Sequence, residues 1–237
     1  MNFLSRLSYK YHMKHAKVLK YKGLRVPVTG PHVILPIREQ LYYDDYEVPE
    51  ITAISKLIRP GDRVLEIGVG LGVVSALTSK STPDLSILAY EANPDLIVPI
   101  KELHRMNGIQ NIEVVNALLE QSPEATSKPF HIHQSFAESS LIESAGSVRQ
   151  VDVPTEDFGA VLDRFQPDML VVDIEGGEAE LLIGADLSRF RAVVVECHPA
   201  VLPQERIDAI HDTFRSSGLT RRTDLEMGQV VVYEVSA

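Results

Sequence analysis

Short apolar runs alternate along this chain with longer stretches in which apolar side chains recur at helical spacing. The short runs predict buried strands, and the longer stretches predict helices. Repeated strand and helix units of this length favour a mainly parallel sheet with helices on both faces. We therefore expect a doubly wound α/β fold. The predicted strands are 63–67, 85–90, 112–117, 169–174, 192–197 and 230–235, and the predicted helices are 49–58, 71–80, 94–107, 178–183 and 204–217.

Three segments depart from this alternation. Residues 5–20 combine basic and apolar positions, which predicts a basic amphipathic helix. Residues 24–35 alternate in polarity around Gly30 and predict a hairpin that serves as a lid or an edge. Residues 120–149 carry Ser, Pro and His in place of a strong apolar period, and we interpret them as an irregular insertion, such as a substrate loop. We expect an arm and hairpin over 1–48 and one α/β domain over 49–237.

Charge is unevenly distributed along the 237 residues. The chain has 33 Asp+Glu against 23 Lys+Arg, a net charge of −10, which argues against nucleic-acid binding through bulk attraction to phosphate. The first 38 residues nevertheless contain eight Lys and Arg, and no acid precedes Glu39. Two interpretations of this basic arm stay open: it packs on the body of the protein, or it docks on an anionic surface or partner.

The sequence also bears on the cellular compartment. Cys197 is the only cysteine, so an intrachain disulfide is excluded and a cytoplasmic location is favoured. No apolar run approaches the roughly 18 residues of a membrane span, and the N-terminus lacks the apolar stretch of a signal peptide. We therefore expect no transmembrane segment.

A glycine-rich turn follows the first core strand. Gly68, Gly70 and Gly72 lie where that strand passes into a helix, so the backbone can approach a ligand and offer N–H groups to it. A dinucleotide fingerprint would need glycine at Val73, so the spacing differs from G-x-G-x-x-G. A buried carboxylate at Glu66 requires a partner. The amino group and sulfonium of S-adenosylmethionine would supply one.

Two further strand ends fit a nucleoside ligand. Glu91 follows the second strand, where a carboxylate accepts hydrogen bonds from ribose hydroxyls in doubly wound folds. Asn116 and Ala117 close the third strand, at the expected position of an adenine edge. The glycine loop, the two acids and Asn116-Ala117 occur in the expected order at successive strand ends. This order favours a cofactor site over a simple tight turn.

With these motifs the sequence resembles the FkbM-type family of S-adenosylmethionine-dependent methyltransferases over about residues 24–199. The resemblance is most specific in the Asp-x-Glu-Gly-x-Glu segment, whereas the glycine loop indicates only the superfamily. The loop departs from the family in Glu66 and Gly68-Val69-Gly70, where Asp and Gly-Ala-Asn are common. The matching segments are Tyr46-Glu47, Glu66 to Gly72, Glu91-Ala92-Asn93-Pro94, Ser139-Ser140-Leu141, Asp173-Ile174-Glu175-Gly176-Gly177-Glu178 and Glu196-Cys197-His198-Pro199.

The resemblance implies a Rossmann-like sheet of the class I methyltransferase type. It also implies methyl transfer from S-adenosylmethionine to a hydroxyl on a sugar, a polyketide or a related natural product. The residues expected to bind the cofactor are Glu47, Glu66, Gly68, Gly70, Gly72, Glu91, Ala92, Asn93, Asn116, Ala117, Ser139 and Asp173.

Methyl transfer to a hydroxyl needs in-line positioning and a base for the hydroxyl proton. His198 is the first candidate base, because an unperturbed imidazole titrates near neutrality. Asp173 is the second, and Glu175 alternates with it at the same strand end. These residues and Glu196 could instead gather a divalent cation, which their spacing allows without requiring, and no metal site is predicted.

The remaining polar candidates have plainer interpretations, and other functions stay open. We interpret Glu178 as a helix-terminal acid and His131 and His133 as surface or substrate-loop residues. Two alternatives to a methyltransferase remain: a nicotinamide-dependent oxidoreductase, disfavoured by Val73 and Glu66, and a non-catalytic binding protein on the same fold. The sequence leaves the acceptor and the oligomeric state open.

Overall fold

A mainly parallel sheet of seven strands forms the centre of the computed structural model, which describes residues 3–30, 33–133, 139 and 147–236. The five strands at one side are parallel, and the last two pair antiparallel. Across the sheet the order is β5 (Ile112–Val115), β4 (Ser86–Tyr90), β3 (Arg63–Ile67), β9 (Met169–Val172), β10 (Ala192–Glu196), β12 (Val230–Val235) and β11 (Leu219–Arg221).

Helices cover both faces of this sheet. Neighbouring residues of one strand enter different cores, because side chains alternate along a strand: Val64 packs on one face and Leu65 on the other. The first face is covered by α3 (Val48–Leu57), α4 (Val73–Ser81) and α5 (Pro94–Asn107), and the second by α6 (Phe158–Phe165), α7 (Glu178–Leu182) and α8 (Gln204–Ser216). The expected doubly wound α/β fold is confirmed. No helix in the described ranges has the length and apolarity needed to cross a bilayer.

The N-terminal elements differ from the expectation. The first helix, α1, is Phe3–His15, and a hairpin follows it, β1 (Val18–Tyr21) and β2 (Leu24–Pro27). The predicted helix over 5–20 is therefore too long, and the predicted hairpin over 24–35 is wrong. The turn lies at Lys22 and Gly23, whose φ angles of 43° and 86° suit a two-residue hairpin turn. Lys-Gly is a weaker turn signal than Asn-Gly, so the sequence alone did not indicate it.

These elements share their core with the central sheet. A further helix, α2 (Leu35–Tyr42), follows the hairpin, and Leu19, Tyr21, Val26 and Leu41 are buried in the same cluster as Val64. The Arg38 guanidinium donates hydrogen bonds to the carbonyls of Val28, His12 and Ala16, which fixes the end of α1 to the body. The division expected at residue 48 stays a prediction.

The segment expected to be irregular contains a second sheet. Its strands are β6 (Leu118–Glu120), β7 (Ser127–His133) and β8 (Ser147–Asp157), in the order β6, β8, β7. Its core is small, with Phe130, Ile132 and Val153 buried together, so the apolar signal in the sequence is weak. His131 and His133 are buried in β7, and the expectation of surface or loop positions is wrong for both. Residues 134–138 and 140–146, including Ser140 and Leu141, lie outside the described residues.

Gly68→Ala is expected to destabilise the fold more than Gly61→Ala. Both glycines have positive φ, +85° and +82°, so each alanine incurs the cost of left-handed backbone, about 1–2 kcal/mol. A Cβ at Gly61 meets no atom within 4 Å, whereas one at Gly68 would lie 1.7 Å from the Asp173 carbonyl oxygen. We expect at least about 2 kcal/mol of extra destabilisation at Gly68 in urea unfolding. Equal losses in the free energy of unfolding for the two variants would show that the backbone at Gly68 can shift without destabilising the fold.

Candidate active site

A cavity of about 730 Å³ opens at the carboxyl ends of β3, β4, β9 and β10. The chain runs outward in one direction from β3 to β5 and in the other from β9, so the cavity lies at the switch point where doubly wound sheets bind ligands. Its volume is within the range of about 300–1,000 Å³ found for small-molecule sites. The expected site residues that line it are Glu47, Glu66, Gly68, Gly70, Glu91, Ala92, Ala117, Ser139, Asp173, Glu175 and His198.

Glu91 holds the glycine loop in place. One carboxylate oxygen accepts the backbone N–H groups of Val69 at 3.1 Å and Gly70 at 2.9 Å, and the other accepts that of Asn93 at 2.7 Å. Burial nevertheless raises the pKa of Glu91 to about 7, although these bonds favour the charged form. The loop N–H groups therefore point at a carboxylate of the protein itself.

Three expected cofactor residues lie outside the cavity wall. Gly72 begins α4, and a Cβ there would lie 3.0 Å from Ile100 Cγ2, so this glycine permits helix packing. The Asn93 side-chain oxygen Oδ1 caps α5 by accepting the Asp95 N–H. The Asn116 amide donates to the Glu91 and Ala92 carbonyls at 2.8 and 3.0 Å, which positions the two residues that do face the cavity.

Glu66 is a buried acid within the wall of the cavity. Its side chain is 3% exposed, and burial raises its pKa to about 8, although hydrogen bonds from Ser75 offset part of that effect. Glu47 and Glu91 add repulsion. A cationic group placed beside Glu66 would restore the carboxylate, because an opposite charge favours the ionised form.

The cavity as a whole is acidic. Among the described residues that line it, the basic side chains are Lys128 and His198, and Lys128 pairs with Glu120 at 2.6 Å. The acids on the wall are Glu47, Glu50, Glu66, Glu91, Glu120, Asp173, Glu175, Glu180 and Glu196. This charge suits a cationic ligand such as S-adenosylmethionine and disfavours the pyrophosphate of a dinucleotide.

His198 is held at one nitrogen and faces carboxylates with the other. Nδ1 is hydrogen-bonded to the fully buried Glu178, which lies in the first turn of α7 as expected and in addition holds this imidazole. Nε2 lies 3.5 Å from Glu175 Oε1, 3.7 Å from Asp173 Oδ1 and 4.0 Å from Glu196 Oε2. Burial opposes the charged imidazole, but the bond to Glu178 and the neighbouring carboxylates outweigh it and raise the pKa of His198.

Glu50, an acid that the sequence did not single out, extends this cluster. Glu50 lies one helical turn after Glu47 in α3, and both carboxylates are close to Glu196 at the end of β10. Burial raises the pKa of Glu47 to about 7 and that of Glu50 to about 8, and burial also raises the pKa of Asp173 well above its ordinary value. The three-residue spacing of Glu47 and Glu50 at a helix start was the available sequence signal.

Glu66 gives the ligand-free protein a measurable pH dependence of stability. Between the ordinary pKa of 4.5 and about 8, the folded state holds a proton that the unfolded state has released. Stability therefore falls as pH rises through this window. We expect Glu66→Gln to raise the melting temperature relative to the wild type. The difference between the two melting temperatures should widen as the pH approaches about 8. A gap that stays constant across the window would contradict the assignment of a raised pKa to Glu66.

Comparison with known proteins gives a family match and weak structural likenesses. A family model described as "Methyltransferase FkbM domain" matches residues 66–219. Among solved structures, a precorrin-6y C5,15-methyltransferase from Geobacter metallireducens GS-15 is similar at 17% identity and a TM-score of 0.49, covering 79% of this chain and 87% of that one. Aeropyrum pernix fibrillarin, solved with natively bound S-adenosyl-L-methionine, is similar at 13% identity and a TM-score of 0.43, covering 94% and 84%.

A third similar structure is a putative O-methyltransferase from Klebsiella pneumoniae, at 13% identity and a TM-score of 0.46, covering 81% of this chain and 82% of that one. No curated protein matches the chain with significance.

Proposed function

The chain belongs to the methyltransferase FkbM domain family, which makes it an S-adenosylmethionine-dependent methyltransferase, and we propose from this premise that it methylates a hydroxyl oxygen. The acceptor we propose is a small molecule: a sugar, a polyketide or a related natural product. The observation that carries the proposal is the buried pair of Glu178 and His198, in which His198 lines the cavity at the switch point and its Nε2 lies among the carboxylates of Asp173, Glu175 and Glu196. Oxygen acceptors need such a base, because a hydroxyl must lose its proton on transfer.

Two cavity acids, Glu66 and Glu91, bind different groups of the cofactor in this proposal. We assign the amino group to Glu66, whose buried carboxylate gains a cationic partner. We assign the ribose hydroxyls to Glu91. Three backbone N–H groups occupy part of its acceptor capacity, and an ionised carboxylate has about four lone-pair sites. When bound, S-adenosylmethionine supplies an electrophilic methyl group on a sulfonium.

In the proposed methyl transfer, His198 is the general base. Above its raised pKa, the neutral imidazole of His198 would take the hydroxyl proton at Nε2. S-adenosylmethionine held in the cavity would supply the methyl group to the acceptor oxygen, and its sulfur would keep the electrons of the carbon–sulfur bond. Glu178 holds the imidazole by Nδ1, so Nε2 is directed at the cavity and the imidazolium that forms is stabilised. Asp173, 3.7 Å from Nε2, is the second candidate base, and Glu175 lies at 3.5 Å.

The experiment is transfer of labelled methyl from S-adenosylmethionine to a panel of matched acceptors. Each acceptor set contains three compounds that differ at one group: a hydroxyl compound, its O-methyl ether, and the amine in which an amino group replaces the hydroxyl. We expect label in the hydroxyl compound and none in the ether. Label only in the amine would overturn O-methylation and leave methyl transfer itself in place.

The oxidoreductase alternative has no support from the site. An oxidoreductase would have to place a pyrophosphate against N–H groups that already bind Glu91, in a cavity lined by acids. We also propose a cytoplasmic protein without a nucleic-acid partner, supported by the net charge of −10 and the single, buried Cys197. Docking through the basic arm stays a prediction, in which the exposed Lys10 and Lys14 would contact the anionic surface.

A further inference from the structure

Three carboxylates from two elements converge on one wall of the cavity. Glu47 and Glu50 come from the start of α3, and Glu196 from the end of β10. One oxygen of each lies within 4.8 Å of the others. Oxygens on opposite sides of one ion are about 4.2 Å apart around Mg²⁺ and up to about 5 Å apart around Ca²⁺. The three carboxylates are thus close enough to share one ion.

A second observation concerns Glu50 alone. Its side chain is 3% exposed and lines the cavity, and its Oε2 has no hydrogen-bond partner in the part of the chain that the structure describes. A buried carboxylate without a partner is costly, so such an oxygen points to a missing positive group. The backbone of Glu47 is also strained, because its φ of 48° lies in the left-handed region. Such strain clusters at functional sites.

The described side chains do not supply that positive group. Lys128 is engaged with Glu120, and Nδ1 of His198 is bonded to Glu178. His198 Nε2 lies 4.0 Å from Glu196 Oε2 but closer to Asp173 and Glu175, so one imidazole is shared among four carboxylates, and no described basic side chain pairs with Glu50. An ion with a double positive charge would balance most of this negative charge in one place.

We propose that Glu47, Glu50 and Glu196 hold a divalent cation of the oxygen-preferring class, Mg²⁺, Mn²⁺ or Ca²⁺. Three carboxylates without a thiolate favour these ions over the zinc and copper classes. The site borders His198, whose Nε2 lies 4.0 Å from Glu196 Oε2. Resting on the proposed function, the role of the ion is to bind the acceptor oxygen and lower its pKa before His198 takes the proton.

The test is calorimetric titration of the full chain with Mn²⁺ alone, without cofactor or acceptor. We expect one saturable site, and we expect Glu50→Gln and Glu196→Gln each to weaken it by roughly tenfold or more. Glu180→Gln is the matched control. It removes the same charge from the same cavity, but Glu180 pairs with Arg206 at 3.0 Å and lies outside the cluster, so binding should be unchanged.

Thermal unfolding shows whether a variant that binds Mn²⁺ poorly does so because it is misfolded. Without Mn²⁺, Glu50→Gln should melt no lower than the wild type, because it relieves repulsion between buried acids. With Mn²⁺, only the wild type and Glu180→Gln should gain stability. Absence of Mn²⁺ binding to the wild type overturns the inference, and so does equal binding by the wild type and both cluster variants.

This test is independent of the proposed function. Loss of methyl transfer to hydroxyl acceptors with intact Mn²⁺ binding would count against O-methylation alone. Methyl transfer that proceeds in a protein that binds no Mn²⁺ would count against the ion site alone.

Discussion

His198→Ala should lower the rate constant of methyl transfer by about 10²–10⁴-fold, the usual contribution of a general base. The residue lies on the cavity wall with Nδ1 bonded to Glu178 and Nε2 facing the space where an acceptor would lie. Its loss removes the proton acceptor but leaves Glu66, Glu91 and the glycine loop untouched. The dissociation constant of S-adenosylmethionine should therefore change by less than about threefold while kcat falls.

A matched variant separates chemistry from the loss of a buried imidazole. His104 is also buried, 7% exposed, but it lies on α5 and outside the cavity wall. His104→Ala should keep the kcat of the wild type in the fraction that folds. Glu178→Gln should lower kcat less than His198→Ala does, because a neutral amide still orients the ring but stabilises the imidazolium poorly. A kcat for His198→Ala within threefold of the wild type would contradict the assignment of the base.

Glu91→Gln should weaken S-adenosylmethionine and S-adenosylhomocysteine alike, by roughly tenfold to a hundredfold. Both ligands carry the ribose, and hydrogen bonds to a charged acceptor contribute about 1.5–3 kcal/mol. Part of the loss comes from the loop, because an amide nitrogen cannot accept the N–H groups of Val69 and Gly70. Calorimetric titration of both ligands measures the effect, and urea unfolding reports how much the loop is loosened.

Glu180→Gln serves as the control for charge, since Glu180 lies on the same wall but pairs with Arg206. Its affinity for both ligands should match that of the wild type. Equal weakening in Glu91→Gln and Glu180→Gln would mean that the cavity attracts the cofactor only by its overall charge.

The sequence was most informative where local signals agree with burial. The strand at 63–67 and the helix at 94–107 have the expected bounds. The strand carries Val64, Leu65 and Ile67 as buried apolar residues because helices cover both faces of the sheet, and Glu66 is the buried acid among them. The helix has Pro94 at its first position, Asn93 as its cap and Gly108 in the left-handed conformation after its end. The strands β7 and β8 have no comparable signal, since one small cluster supports them.

The site was predictable only as far as strand ends determine it. Glu66 lies in the last part of β3, and Glu91, Asp173 and His198 follow β4, β9 and β10. The carboxyl ends of these parallel strands meet at one edge, and the structure brings the four residues to one cavity. The spacing of Glu50 from Glu47 is visible in the sequence, but its approach to Glu196 depends on how α3 packs against β10, and the contact of Glu178 with His198 depends on the position of α7. Glu178 is the clearest example, because its fully buried carboxylate bonds His198 across 20 residues of sequence.

Calorimetric titration of the wild-type chain with S-adenosylmethionine, and with NAD in a parallel titration, tests the central claim most directly. The acidic cavity and the loop N–H groups bound by Glu91 predict saturable one-site binding of S-adenosylmethionine and none of NAD. Preferential binding of NAD, or no binding of S-adenosylmethionine, would contradict the assignment of this cavity as a methyl-donor site.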